Sequence, residues 1–119
     1  MGFLQKRLLS FRYAFQGLSE LFRSQPNARI HIVASIAAIL LGLWCHISRL
    51  EWVCIAFCIT MVLAMEAINT ALEFLTDLAS PEYHPLAGKA KDVAAAAVLI
   101  TAIGAAVVGA LIFLPYFFK

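Results

Sequence analysis

The sequence predicts an all-α integral membrane protein, with three transmembrane helices and an N-terminal amphipathic helix in the membrane interface. Of its 119 residues 63% are hydrophobic and only 13% are charged, and the mean hydropathy is +0.89. Such a composition lies outside the range of soluble globular proteins. The length allows about three helices of the ~20 apolar residues that cross a ~30 Å hydrocarbon core. We expect a single domain over residues 1–119.

The first element, residues 1–25, is predicted to be the interfacial helix. It mixes Phe and Leu with Lys and Arg at helical spacing. The charged side chains are too frequent for a spanning helix, whereas a helix lying in the interface keeps its charged face in water. Pro26 interrupts this pattern and can begin the next helix.

Three apolar segments follow, and we expect them to span the membrane at residues 28–47, 51–78 and 91–118. Trp44 and Trp52 flank the first connection, as interfacial aromatic residues do. Pro, Gly, Ser and His residues between 80 and 88 mark the second connection. The three cysteines lie in apolar stretches without a metal-binding or redox spacing, so we interpret them as small hydrophobic residues.

The distribution of basic residues predicts the orientation. Residues 1–29 contain five of them, and the second connection contains Lys89 and Lys91. The first connection has only Arg49, and the C-terminus only Lys119. By the positive-inside rule, we expect the N-terminus and the second connection to lie in the cytoplasm.

A stripe of polar residues runs along the second predicted span. Glu66, Asn69, Glu73 and Asp77 are three or four residues apart, so they share one helix face. Glu66 is 14 residues, or ~21 Å, from Trp52, which places it within the bilayer in its cytoplasmic half. An ionisable side chain at that depth is a candidate functional residue.

These residue types suit phosphoryl transfer. A carboxylate in a partly dry site can take a proton from a hydroxyl, a second one nearer water can hold Mg²⁺, and Lys91 can bind a phosphate. The sequence contains no Walker A loop, protein-kinase motif set or Gly-rich dinucleotide motif, so a nucleotide would be held differently. No nucleic-acid partner is expected.

Other interpretations of the same residues stay open at this point. Glu66 could form a helix–helix hydrogen bond, Glu73 and Asp77 could be solvated charges, and Lys91 could only anchor the topology. His31 and His46 read as interfacial polar residues rather than ligands. An ion-coupled carrier or a non-catalytic membrane protein would also use buried carboxylates, although the short chain and the lack of an inverted repeat count against a carrier.

The residues from 66 to 100 resemble the prokaryotic diacylglycerol kinase family, which includes undecaprenol kinases. The resemblance lies in the E-x-x-N-[ST]-A-x-E core from Glu66 to Glu73, the E-Y-H turn at 82–84, and the A-K-D-x-x-x-A-A-V-L run from Ala90. The N-terminal FRYAFQGL and NARIH are similar to the family too. The resemblance covers nearly the whole chain.

The resemblance implies a homotrimeric lipid kinase of the inner membrane, with active sites shared between protomers. Such an enzyme transfers the γ-phosphate of ATP, with Mg²⁺, to the hydroxyl of a membrane lipid, either undecaprenol or diacylglycerol. By motif position, Glu66 is the catalytic base and Asn69 is a further catalytic residue. The implied nucleotide-binding residues are Tyr13, Glu73, Glu82, Tyr83, His84, Lys91 and Asp92. The interfacial helix contributes Ser10, Arg12 and Phe15 to a lipid site that also includes Glu66.

One position departs from the family pattern. Glu73 and residue 25 are the implied metal ligands, but residue 25, usually Glu, is Gln25 here. The amide keeps an oxygen ligand and loses the negative charge, which predicts weaker Mg²⁺ binding at that corner. A helix-capping role is the alternative for Gln25.

Overall fold

The structure, a computed structural model, describes residues 1–118 and folds them into four helices. They are α1 (Phe3–Ser24), α2 (Pro26–Cys45), α3 (Arg49–Ala79) and α4 (Pro85–Phe117). Within the described residues, α2, α3 and α4 are the helices that are long and apolar enough to cross a membrane. The predicted all-α membrane fold is therefore confirmed.

A single non-helical residue, Gln25, separates α1 from α2. Its backbone is extended, with φ −116° and ψ 106°. Pro26 occupies the first position of α2, where its missing N–H leaves no hydrogen bond unmade. The guanidinium of Arg29 donates to the carbonyl oxygens of Phe22 and Arg23, both at 2.9 Å. These bonds satisfy carbonyls at the end of α1 and fix the start of α2 against it.

The connection from α2 to α3 is a tight turn. His46 has a left-handed backbone with φ 52°, and the N–H of Ile47 donates to the carbonyl of Gly42 at 3.2 Å, as in a Schellman turn. Ser48 and Glu51 then form a capping box, in which each side chain accepts from the other residue's backbone N–H.

The connection from α3 to α4 covers only residues 80–84. His84 caps α4, because its Nδ1 accepts from the backbone N–H of Leu86 at 3.1 Å, and Pro85 is the first helical residue. The helix that contains the third predicted span therefore begins at Pro85, ahead of residue 91, where that span is predicted to start. Proline is favoured at the first position of a helix, although it breaks a helix in the interior. The other two spans begin and end within two residues of their predicted bounds.

The helices pack as an up-and-down bundle with α3 central. α3 and α4 have the most extensive contact, α2 packs mainly on α3, and α1 contacts α2 and α3. We call the end with α1 and the 80–84 connection the α1 end, and the opposite end the far end. Buried apolar residues at the far end form a cluster of Ile47, Ile55, Ile112 and Phe113. Most other large apolar side chains are exposed on the outside, as lipid-facing residues are.

Candidate active site

The polar stripe of α3 passes from a buried to an exposed environment toward the α1 end. Glu66 is 1% exposed, Asn69 is 7% and Thr70 is 4%. Glu73 is half-buried and Asp77 is exposed. Because the helix places these residues on one face, the buried carboxylate is connected to the surface by further polar side chains.

The carboxylate of Glu66 has unused hydrogen-bonding capacity. Its Oε2 is buried and accepts no hydrogen bond. Thr70 next to it donates to the backbone carbonyl of Glu66 at 2.9 Å, and so does not serve the carboxylate. A buried acceptor without a partner is uncommon in proteins and usually marks a place where a ligand or water binds.

Asn69 lies between Glu66 and Glu73 along the stripe and is hydrogen-bonded to Glu73. Its amide donates to Oε1 of Glu73 at 3.3 Å, which orients the side-chain oxygen of Asn69. That oxygen, Oδ1, is also buried without a hydrogen-bond partner. Glu73 and Asn69 together therefore offer a carboxylate and a neutral oxygen, the ligand types of hard cations such as Mg²⁺.

His31 of α2 lies against Glu66, and the sequence interpretation of His31 as an interfacial polar residue missed this. Its Nε2 is 3.5 Å from Oε2 of Glu66, and its side chain is 21% exposed. One signal could have found it: after Arg29, His31 and Ser35 are polar residues in an otherwise apolar part of α2, and they are four positions apart. A shared polar face inside a membrane needs a polar partner.

Residues around the 80–84 connection enclose a hollow of about 180 Å³. Four residues predicted to bind nucleotide line it: Glu82, Tyr83, His84 and Lys91. Lys91 forms an ion pair with Asp77, with Nζ 2.5 Å from Oδ1. The structure thus brings these side chains together and adds Asp77 to them. Asp77 is exposed and lies one helical turn from Glu73 on the same face of α3. This spacing was the sequence signal that could have predicted Asp77 as a site residue.

A second hollow of about 420 Å³ lies between α1 and α3. Small or apolar side chains from both helices line most of it, among them Ala14, Gly17, Leu21, Ala67 and Ala71. Thr70, whose hydroxyl bonds to Glu66, is also in its wall. Ala67, the residue that follows Glu66 in the sequence, lines this apolar groove.

The predicted site residues of α1 do not join either hollow within one chain. Ser10, Arg12, Tyr13 and Phe15 are exposed and line neither the groove nor the hollow at the connection. Ser10 donates to the carbonyl of Lys6 on its own helix. Asp92 is exposed as well, one residue from Lys91.

Gln25 is half-buried at the α1–α2 junction, where it was expected. Its side chain makes no capping hydrogen bond to α2. Over residues 1–118, no three His, Cys, Asp or Glu side chains are grouped so as to hold a metal ion. A cation near Glu73 would therefore depend on few protein ligands.

The chain is similar to known proteins of one family. The family model of prokaryotic diacylglycerol kinase matches residues 12–113. An undecaprenol kinase from Bacillus subtilis is 38% identical over 112 residues, which cover 94% of this chain and 91% of that protein.

Two diacylglycerol kinases are similar too. The one from Synechocystis is 42% identical over 109 residues, covering 91% of this chain but 62% of that longer protein. The one from Escherichia coli K12 is 30% identical over 105 residues, covering 88% of this chain and 86% of that protein. The matched ranges include the whole of the polar stripe.

Proposed function

Because the chain belongs to the prokaryotic diacylglycerol kinase family and is a lipid kinase, we propose that it transfers the γ-phosphate of ATP to the hydroxyl of undecaprenol or diacylglycerol. The buried Glu66 carboxylate, with an oxygen that accepts no hydrogen bond, is the observation that carries this proposal. Thr70, whose hydroxyl bonds to the Glu66 carbonyl, lies in the wall of an apolar groove, which suits a lipid that presents its hydroxyl at membrane depth.

Glu66 acts as the general base. A lipid hydroxyl donates to the Glu66 carboxylate, and the proton moves to Glu66 as the hydroxyl oxygen attacks the γ-phosphorus. The bond from the γ-phosphorus to the β,γ-bridging oxygen breaks in the same step, and ADP leaves with that oxygen. The low exposure of Glu66 excludes competing water, so that the lipid hydroxyl rather than water is phosphorylated. The groove between α1 and α3 holds the apolar part of the lipid and brings its hydroxyl to the carboxylate.

Glu73 and Asn69 fit the needs of Mg²⁺. This cation is usually bound by one or two carboxylates together with substrate phosphates and water, rather than by a full protein cage. A half-buried carboxylate beside a buried amide oxygen without a partner satisfies that requirement, and Gln25 would supply a further neutral oxygen. When bound there, the ion would neutralise charge on the phosphates during transfer.

The hollow at the 80–84 connection is our proposed nucleotide site. Tyr83 and His84 offer aromatic surfaces there, and Lys91 offers a point charge for phosphate. Lys91 is paired with Asp77, and we expect a phosphate to take the place of that carboxylate on Lys91. The ion pair with Asp77 holds Lys91 at the hollow until a phosphate replaces the carboxylate.

A homotrimer in the bacterial cytoplasmic membrane, with the α1 end in the cytoplasm, completes the proposal. One feature supports shared sites, and another supports the orientation. The α1 residues Arg12 and Tyr13 are exposed and line neither the groove between α1 and α3 nor the hollow at the 80–84 connection, so they are available to a neighbour. The α1 end also holds the candidate nucleotide site, and ATP is a cytosolic metabolite.

The test uses the full-length protein purified in detergent or lipid bicelles, with γ-labelled ATP and each lipid in turn. Transfer of label to one lipid, dependent on Mg²⁺, supports the proposal and identifies the acceptor. If neither lipid is labelled while reconstituted vesicles show carboxylate-dependent ion movement, the protein is a carrier instead.

Orientation is tested separately by single cysteines in a variant that lacks the three native ones. Cysteine at position 2 or 89 should react with a membrane-impermeant thiol reagent only after the membrane is opened. Cysteine at position 119 should react in intact cells. The reverse pattern would separate the α1 end from cytosolic ATP and contradict the proposal.

A further inference from the structure

The geometry points to His31 as a positioning residue that holds the Glu66 carboxylate in the orientation from which it takes the lipid proton. This inference rests on the proposed role of Glu66 as base. It starts from one contact between two helices: Nε2 of His31 on α2 is 3.5 Å from Oε2 of Glu66 on α3. Because Glu66 is 1% exposed, few groups can reach its carboxylate.

The carboxylate needs such a partner, since its neighbours on α3 are engaged elsewhere. The Thr70 hydroxyl donates to a backbone carbonyl, and the Asn69 amide donates to Glu73. A Glu side chain turns about three single bonds, and a base must lie within about 2.6–3.2 Å of the proton-bearing atom to act. Without a donor, the side chain of Glu66 would spend time in unproductive orientations.

The distance of 3.5 Å is a few tenths of an ångström beyond a typical N–H···O hydrogen bond. Hydrogen bonds in active sites are often long without substrate and shorten in the complex. An ionised carboxylate has about four acceptor positions, so an Nε2–H donor at one of them leaves room for the lipid hydroxyl. The imidazole therefore orients the base without competing with the substrate.

The backbone under His31 is well fixed, so only side-chain torsions need to change. Ser35, one turn later, donates to the carbonyl of His31 at 2.7 Å. Ala28, one turn earlier, is fully buried, and Arg29 anchors the start of α2 to the end of α1. His31 also lines a cavity of about 140 Å³, so side chains of similar size can replace it without overpacking.

Two amide substitutions separate positioning from bulk. The nitrogen of Gln lies roughly where Nε2 of His lies, whereas the nitrogen of Asn lies nearer Nδ1. Since the contact to Glu66 is made by Nε2, His31→Gln should keep kcat within about fivefold of the parent. His31→Asn and His31→Leu should lose about tenfold or more, since small misplacements of a base have large effects on rate. KM for lipid and ATP should change less than kcat.

The measurement is kcat and KM of the purified full-length variants, with thermal unfolding in the same detergent to identify misfolded ones. Equal kcat for the Gln, Asn and Leu variants, whether all normal or all reduced, overturns the inference. A hydrogen-bond donor at the position of Nε2 would then make no difference to kcat. Recovery by Gln alone supports the inference.

A double substitution with Glu66→Gln shows whether His31 acts through Glu66. If it does, His31→Leu causes no further loss of kcat in a chain that already carries Glu66→Gln, because effects of residues acting as a unit are not additive. Full additivity, with Glu66→Gln itself strongly impaired, removes the role of His31 and leaves the base assignment intact. Near-normal turnover of Glu66→Gln alone removes the base assignment, and with it the proposed mechanism.

Discussion

Two glutamates of α3, Glu51 at the far end and Glu66 in the half of the helix nearer the α1 end, have opposite hydrogen-bonding environments. At the far end, Oε1 of Glu51 accepts from the Tyr116 hydroxyl at 2.6 Å and from the backbone N–H of Ser48 at 2.9 Å. At the α1 end, Glu66 and Asn69 each bury an oxygen that accepts no hydrogen bond. The far end completes its polar groups within the chain, whereas the α1 end leaves them available.

We interpret this difference as one between polar groups that stabilise the fold and polar groups proposed to bind substrate. A hydrogen-bonded Glu51 joins the turn before α3 to the last turn of α4, over a buried apolar cluster. Glu66 lies deeper, and its Oε2 has His31 at 3.5 Å but accepts no hydrogen bond. A buried carboxylate with so little support is costly, and we expect it where a substrate supplies a further partner. The two ends should therefore respond to substitution in different measurements, activity at one end and stability at the other.

The largest effect is expected at Glu66. Glu66→Gln keeps the shape of the side chain and removes its basicity, so kcat should fall by about 10²–10⁴-fold, the usual contribution of a general base. The matched control is Glu51→Gln, which keeps an acceptor oxygen for Tyr116 and lies at the other end of the same helix. The kcat of Glu51→Gln should stay near that of the parent. A comparable loss of kcat in both variants would contradict the assignment of a structural role to Glu51 and a catalytic role to Glu66.

The next largest effect is expected at Glu73. Glu73→Ala removes a charged ligand and the acceptor of the Asn69 amide, so KM for Mg²⁺–ATP should rise about tenfold or more, as expected when one charged hydrogen-bonding partner is lost. KM for the lipid should be nearly unchanged. Steady-state titrations of each substrate at saturating levels of the other decide this, and a change confined to the lipid would reverse the assigned roles.

At the far end the expected change is in stability. A Cβ at Gly42 would lie 2.7 Å from Cη2 of Trp52 and 3.0 Å from Cδ1 of Ile47. Gly42→Ala should therefore lower the free energy of unfolding by about 1–3 kcal/mol through overpacking, with kcat per folded molecule unchanged. Unfolding in mixed micelles measures it. Gly104→Ala is the control, because nothing lies within 4 Å of the added Cβ.

The smallest effect is expected at Gln25. Gln25→Glu adds a charged oxygen at the α1–α2 junction, so less Mg²⁺ should be needed for half-maximal activity, by about a few-fold, because hard cations prefer charged oxygen ligands. KM for the lipid should not change. A Mg²⁺ titration at saturating lipid and ATP is the measurement, and superimposable curves for both proteins would show that Gln25 has no part in metal binding.

Hydropathy and spacing were sufficient to predict the four helices, because membrane helices are defined by long apolar runs that charged residues end. The polar stripe on α3 followed from helical spacing in the same way. The start of α4 could not be predicted in this way, since a proline can either break a helix or begin one. The hydrogen bond by which His84 caps α4 shows that Pro85 begins the helix.

Contacts between helices were beyond the sequence pattern. His31 lies against Glu66, and Asp77 pairs with Lys91, because of how α2 and α4 pack on α3. Periodicity within one helix contains no information on that packing. The motif resemblance named Glu82, Tyr83, His84 and Lys91 individually, and the fold places them around one hollow. The roles of Tyr13, Arg12 and Asp92 stay predictions.

The burial of Glu66 also bears on how the chain enters the bilayer during synthesis. An ionised side chain near the middle of a lone helix raises the free energy of insertion by about 2.5–3.5 kcal/mol. α2, which carries His31, is made before α3, and α4, uncharged from Val93 to Phe118, follows after five residues. We therefore expect α3 to be retained in the bilayer as part of a group of helices, and a fragment ending at Ala79 to insert less completely than the full chain.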